Sequence, residues 1–214
     1  MAGSPLRQLA YRHRWIYDAV TATSALSVGG VGRLRALAAE WMVPLLPKGS
    51  AVLDLCCGSG EAAAPLLQAD LRVTGLDIAP RALELAALRH SDLTLVQGLA
   101  EDPPLPESSF AGIQLSLALH EFPAAERRAL LRSARRLLQP GGVFVMVDLH
   151  PAAGLMKPLQ QMFCALFETE TATAFLQLDL PQELADCGLQ VERHELLAGT
   201  ALQRLLCRPQ PASP

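Results

Sequence analysis

The segment AVLDLCCGSGEAAAPLL, residues 51 to 67, is the first grouping with the means to do chemistry: an apolar run, a turn of small residues, then a helical pattern. Gly58 and Gly60 permit close backbone approach, and a helix beginning near Glu61 offers free amides to a ligand. Asp54, at the end of the apolar run, is placed to orient the turn and to receive the cationic amino group of an amino-acid moiety. In RVTGLDIAPRALELA, Asp77 ends a second β-rich run 19 positions after Gly58, where a carboxylate can accept both hydroxyls of a ribose. Together the two markers indicate an adenosine-bearing ligand without saying which. Two glycines alone would also suit a plain strand-to-helix connection, and NAD enzymes share the acid. CCGSGEAA, however, lacks the third glycine of GxGxxG.

Those residues need strands and helices to hold them. From Ala51 onward the runs AVLDL, RVTGLD, LTLVQ, AGIQLSL and GVFVMVDL read as strands, separated by helices at about Glu61 to Ala69, Pro80 to Arg89 and Ala124 to Leu138. Such alternation implies right-handed crossovers and a mostly parallel sheet with helices on both faces. After a helix near Pro181 to Cys187, LQVERHELL and TALQRLLCR are joined by the short AGT turn and read as an antiparallel hairpin. The expected fold class is therefore α/β, a Rossmann-like doubly wound sheet, mostly parallel with a C-terminal antiparallel hairpin, plus a helical cap. Residues 1–47 are expected to form an N-terminal helical cap. Residues 48–208 would be the Rossmann-like domain with a helical insertion at about 151–178, and 209–214 a disordered tail.

Composition narrows the function classes. A net charge of -3 gives no basic field for nucleic acid, so no nucleic-acid partner is expected. Five cysteines, Cys56, Cys57, Cys164, Cys187 and Cys207, show no paired CxxC spacing, which argues against a disulfide framework and against a metal site. Reduced thiols suit a cytoplasmic location. No window approaches the roughly 20 apolar residues of a membrane span.

The order of these segments resembles the class I, Rossmann-like S-adenosylmethionine-dependent methyltransferases. VLDLCCGSGEAA looks like their first motif and GLDIAPRALELA their second. VQGLAEDPPLPESSFAGIQLSLALHEF looks like their third-strand loop and fourth strand, and LLRSARRLLQPGGVFVMVDLH the approach to the fifth. The resemblance covers about residues 50 to 150, and the Cys-Cys-Gly turn is closest in style to the ubiquinone/menaquinone C-methyltransferases and their plant and cyanobacterial relatives. It implies S-adenosylmethionine as cofactor, held by Asp54, Cys56, Gly58, Gly60, Asp77, Ile78, Ala100, Glu101 and Leu117, with Ala100 and Glu101 beside the adenine. Two positions depart from the pattern. Leu99 stands where the family commonly has an acid, and Cys56 where many members carry glycine.

Transfer of a methyl group from an already activated carbon needs alignment and, for a weakly acidic acceptor, a base. His120 in LALHEF lies just beyond the fourth strand and titrates near neutrality, which makes it the first candidate base, with Glu121 the alternative. Either residue could instead serve the start of the next helix. His150, after the fifth strand, also faces the expected cap.

Leu155, Leu159, Met162, Phe163, Leu166 and Phe167 recur at helical spacing, which suits core packing or the lining of an apolar acceptor site; Phe163 and Phe167 are the acceptor candidates. WIYDAVTATSALSVGG loosely resembles the tyrosine-aspartate helix of the quinone methyltransferases and adds Tyr17 to that set. Through Arg35 the chain carries five arginines against the single acid Asp18, which suits a solvated helix face or a peripheral membrane contact with a lipid-like acceptor. The expected function is methyl transfer to a small, apolar or quinone-like acceptor. Its rivals are a non-catalytic cofactor-binding partner subunit and an NAD-dependent oxidoreductase.

Overall fold

Short apolar runs bounded by turn residues form seven strands: β1 (Ala51–Leu55), β2 (Arg72–Asp77), β3 (Thr94–Gln97), β4 (Phe110–Ser116), β5 (Leu138–Leu149), β6 (Leu189–Leu197) and β7 (Leu202–Pro209). They make one sheet in the order β3-β2-β1-β4-β5-β7-β6. The first five are parallel, and β7 runs antiparallel to both β5 and β6. The sheet is thus mostly parallel with an antiparallel C-terminal hairpin, as expected. This computed structural model describes residues 28–154, 157, 158, 160 and 170–210.

Helices cover both faces: α1 (Val31–Met42), α2 (Ala64–Gln68), α3 (Pro80–Arg89), α4 (Ala124–Leu137), α5 (Glu170–Phe175) and α6 (Leu180–Asp186). Side chains alternate across a strand, so each interior strand feeds two cores. Leu53, Leu55, Ile113, Leu115, Phe144 and Met146 pack with Leu130, Leu131 and Leu184 on the side of α4 and α6. Val52, Val143, Val145 and Val147 pack with Leu37, Trp41, Met42 and Leu66 on the side of α1 and α2. Burial on both sides is why these strands read as continuous apolar runs.

Helix ends follow local chemistry. In α4, Glu126 in the first turn and Arg135 and Arg136 in the last complement the helix dipole. Asp179 caps α6 by accepting from the Gln182 amide at 3.2 Å. The helix expected from Glu61 begins only at Ala64. Pro65 explains the delay, since in a helix begun at Glu61 its ring would collide with a carbonyl one turn back, whereas the first turn tolerates it.

The described part of residues 1–47 holds a short 3₁₀ turn, Val43–Leu45, and α1, which lies against β4 and β5. Gly112 lets it approach: a Cβ there would stand 2.8 Å from Met42 Sδ. Trp41 then fixes the helix to the hairpin, with the Arg193 and Arg204 guanidinium carbons 3.9 and 4.1 Å from its ring centroid. Arg204 also donates to the Leu37 carbonyl at 2.7 Å and to Glu40 at 2.9 Å. Of the arginines assigned to a membrane contact, Arg33 meets Glu40 and Arg35 meets Glu61, while Arg7, Arg12 and Arg14 lie outside the described residues. No helix of the described residues is long and apolar enough to cross a membrane.

Candidate active site

Strand order reverses between β1 and β4, so the crevice beyond their carboxyl ends is where a ligand meets an open α/β sheet. The turn after β1 lines it. Cys56, Gly58 and Gly60 have φ of 59°, 52° and 78°, in the left-handed region. Cys56 therefore adopts the conformation for which glycine is the easier residue, at a cost of about 1 kcal/mol or more. A Cβ on Gly58 would meet nothing within 4 Å, so that position requires glycine for its backbone angle and not for space. Asp77, at the end of β2, ties the turn down: one carboxylate oxygen accepts from the Gly58 amide at 2.8 Å and the other from the Ala79 amide at 2.9 Å.

The surroundings of the two cysteines do not favour the thiolate. Burial, followed by the nearby carboxylates, pushes both thiols far up, so they stay protonated. Cys57 fills the space over Gly75, where a Cβ would come within 2.8 Å of its sulfur. Among the described residues no group of His, Cys, Asp or Glu has the arrangement to hold a metal ion.

Asp54 is 1% exposed and pairs in register with Gln114 of β4, whose amide donates to Asp54 Oδ1 at 2.9 Å and to the Ala62 carbonyl at 2.9 Å. Removal from water raises its pKa to about 7, against the lowering effects of Gln114 and Arg35. Asp54 Oδ2, Gln114 Oε1, Ser116 Oγ and Arg35 Nε are buried without a hydrogen-bond partner among the described residues. Positions 54, 114 and 116 share the sheet face that α1 covers, so this unspent hydrogen-bonding capacity gathers in one place.

Ile78 and Leu99 flank the β2 and β3 ends with 59% and 49% of their surface exposed, large apolar groups left open beside Asp77. Ala100 is buried, and the Glu101 carbonyl accepts from Ser133 Oγ at 2.7 Å. The backbone at Glu101 is thereby tied to α4.

Beyond β4 the chain changes direction at Leu117, a non-glycine residue with φ of 55° whose amide donates to the Val147 carbonyl at 2.8 Å. A short 3₁₀ turn, Leu119–Glu121, then buries His120. Its Nδ1 lies 2.5 Å from Asp148 Oδ1 on β5. Asp148 is fully buried and also accepts from the Leu119 amide at 2.8 Å and the Leu149 amide at 2.7 Å. A carboxylate receiving that set of donors acts as acceptor to the ring, so Nδ1 carries the hydrogen in that pair. Phe175 of α5 meets the ring edge-on at 6.3 Å between centroids.

Glu121 projects outward, and its pKa is raised chiefly because neighbouring protein displaces water, an effect that His120 opposes. His150, just after β5, donates from Nδ1 to the Thr200 carbonyl at 2.8 Å, tying β5 to the hairpin tip. Tyr17, Phe163 and Phe167 lie outside the described residues.

The turn, Asp54, Asp77, Leu117 and His120 thus converge on one set of strand ends, with Ile78 and Ala100 at its β2 and β3 side. Two residues of this region were missed by sequence reasoning, Asp148 and Gln114. Both left a signal, since each is the lone polar residue in a run otherwise destined for burial, FVMVDL and GIQL, and a buried polar group needs a partner.

Comparison with known proteins agrees with this architecture. A family model described as a methyltransferase domain matches residues 52–142, from β1 into β5. An uncharacterized methyltransferase of Synechocystis sp. is 40% identical over 203 residues, covering 94% of this chain and 95% of that protein. A 2-phytyl-1,4-naphtoquinone methyltransferase of Thermosynechococcus vestitus is 32% identical over 146 residues, which are 64% of this chain and 62% of the relative. Among solved structures, a TehB-like SAM-dependent methyltransferase from Corynebacterium glutamicum superposes with a TM-score of 0.60 at 18% identity, covering 97% of this chain and all of that one, a likeness of fold. Full-length similarity to a methyltransferase, the matching domain model and the observed strand order lead to one assignment: this chain belongs to the class I, Rossmann-like methyltransferases.

Proposed function

We propose that the protein transfers a methyl group from S-adenosylmethionine to a small, apolar, ring-bearing acceptor, with His120 as general base. The observation that carries the donor is the orphaned Asp54 Oδ2, a buried carboxylate oxygen beside a glycine turn that already holds Asp77. Such an oxygen fits the ammonium of an amino acid, and Asp77 suits a ribose. Ile78 and Leu99 offer apolar surface to the flat base. When bound, S-adenosylmethionine supplies a methyl carbon activated by the adjacent positive sulfur, which keeps the bonding electron pair as the methyl leaves.

His120 does the remaining chemistry in this reading. An acceptor O–H or acidic C–H gives its proton to Nε2 as the new bond to the methyl carbon forms. Asp148 fixes the tautomer, aims the ring and stabilises the imidazolium that results. Its two backbone donors keep the carboxylate from turning away. Phe175 closes the far side of the ring against water.

The apolar acceptor is supported by the quinone methyltransferase among the relatives and by the stripe through Phe163 and Phe167 in the sequence. A labelled-methyl assay against extracted lipids and soluble metabolites, read by mass spectrometry of the product, tests the whole reading. Transfer to a ring-bearing lipid is the expected result; label found only in polar metabolites would remove the acceptor assignment. Absence of binding heat with the donor would remove the donor.

A further inference from the structure

We infer that Arg127 of α4 is a positioning residue for His120: one buried guanidinium holds both the turn that carries the imidazole and the aromatic ring packed against it. The inference rests on the general base proposed above. Arg127 stands near the start of α4 with 5% of its surface exposed, and Glu183 of α6, its partner, has 3%. Arg127 Nε donates to Glu183 Oε1 at 2.5 Å, and Arg128 donates to the other carboxylate oxygen at 3.3 Å. Arg127 Nη1 also donates to the Phe122 carbonyl at 3.4 Å, where the chain leaves the 3₁₀ turn of His120. The guanidinium carbon lies 5.9 Å from the ring centroid of Phe175, and that ring meets the imidazole edge-on.

Energetics point away from a purely stabilising role. A buried ion pair gains little over apolar side chains of similar size, because both charges must leave water. What it supplies is direction. The planar fork has fixed donor angles, so Arg127 meets Glu183 and the Phe122 carbonyl together only while α4, α6 and the turn keep one arrangement. Phe175 ends α5 and lies beside the same cation, so the ring next to the imidazole shares that anchor. Asp148 fixes His120 from the strand side, and Arg127 completes the restraint from the helix side. Small displacements of a proton-transfer group reduce the rate steeply, which makes the second restraint matter for turnover.

Replacing both partners together, Arg127→Met with Glu183→Met, tests the assignment without leaving a lone buried charge. The full-length double variant should melt within a few degrees of the unaltered chain. In nitrogen-15 spectra its His120 Nδ1 proton should nevertheless exchange with water about tenfold faster or more, while the amides of β1 and β4 exchange as before. Labelled-methyl transfer to extracted lipids should slow by about tenfold or more, with donor affinity by calorimetry held within about twofold. Native exchange at His120 in the folded double variant would overturn the inference. So would equal acceleration in β1 and β4, which marks general loosening. Should the double variant fail to fold, Arg127→Lys serves in its place, since it keeps the charge and loses the fork. Faster exchange at His120 alone then supports the inference, and native exchange overturns it. Undiminished methyl transfer by His120→Ala would instead defeat the general base, a failure told apart from this one because ring exchange reads the imidazole directly.

Discussion

The two halves of the cleft are built on opposite principles. On the α1 face of the sheet, at the β1 and β4 ends, polar groups are left with capacity to spare: Asp54 Oδ2, Gln114 Oε1, Ser116 Oγ and Arg35 Nε are buried and unpartnered among the described residues. On the opposite, α4 face, at the β5 end, Asp148 spends itself on His120 and two backbone amides. Unspent buried capacity is costly unless a ligand supplies the partners, so the first half is suited to holding a polar ligand. A carboxylate that satisfies an imidazole fixes its tautomer and raises its basicity, so the second half is suited to moving a proton.

The sharpest way to break this division is to cut the second half. Asp148→Asn should lower kcat by roughly 10²- to 10³-fold through loss of the correct tautomer, and His120→Ala by a similar factor, while donor affinity measured by calorimetry stays within about twofold. A comparable loss of donor affinity would mean that the two halves are one unit.

Asp77→Ala should have the next largest effect, acting on the first half alone. Removing its carboxylate orphans the Gly58 and Ala79 amides and takes away a ribose partner, so donor affinity should fall roughly tenfold or more. A folded variant with normal affinity would show that the carboxylate serves the turn only.

Proton linkage offers a subtler test, because Asp54 has its pKa raised to about 7 by burial. A ligand ammonium favours the ionised form, so binding below pH 7 must release a proton, and affinity should weaken up to about tenfold per unit as pH falls. The ligand-free fold shows the opposite sign. Its raised pKa means the folded state holds a proton that the unfolded chain gives up above its own value near 3.8, so stability declines as pH rises from about 4 through 7. Asp54→Asn should remove both effects, making the ligand-free protein more stable than the unaltered chain at pH 8 by about 4 kcal/mol and little different near pH 4. Thermal melts across that range, with and without donor, decide it; parallel profiles would dissociate Asp54 from the ligand.

The smallest expected effect is at Gly58, where a side chain has room but the backbone angle does not suit it. Gly58→Ala should cost about 1 to 2 kcal/mol, a few degrees in Tm, with donor affinity reduced but measurable. Gly58→Val, branched at Cβ, should lose more of both. A loss no larger for valine than for alanine would locate the penalty in the backbone alone.

Much of the fold could be read from the chain because its signals are local. β1 and β2 are runs too short for helices, β5 is rich in β-branched valine, and the AGT segment does join an antiparallel hairpin, with Ala198, Gly199 and Thr200 all in left-handed backbone. Asp54, Gly58 and Asp77 stood out because strand ends and glycine turns are marked by residue type within a few positions. The late start of α2 was misread, with the helix expected from Glu61, although Pro65 forbids that earlier start.

Partnership was not legible, because it joins residues distant along the chain. His120 and Asp148 are 28 positions apart, Asp54 and Gln114 60, and Arg204 and Leu37 167. His150 adds a further case, its ring bonding the Thr200 carbonyl 50 positions away. The sequence by itself determined which residues would be strand ends, turns and buried polar groups, since those follow from periodicity, backbone angles and the cost of burial. Only the tertiary structure decided which buried polar groups satisfy one another and which wait for a ligand, because that depends on strand order and register, and no local pattern encodes the neighbour across a sheet.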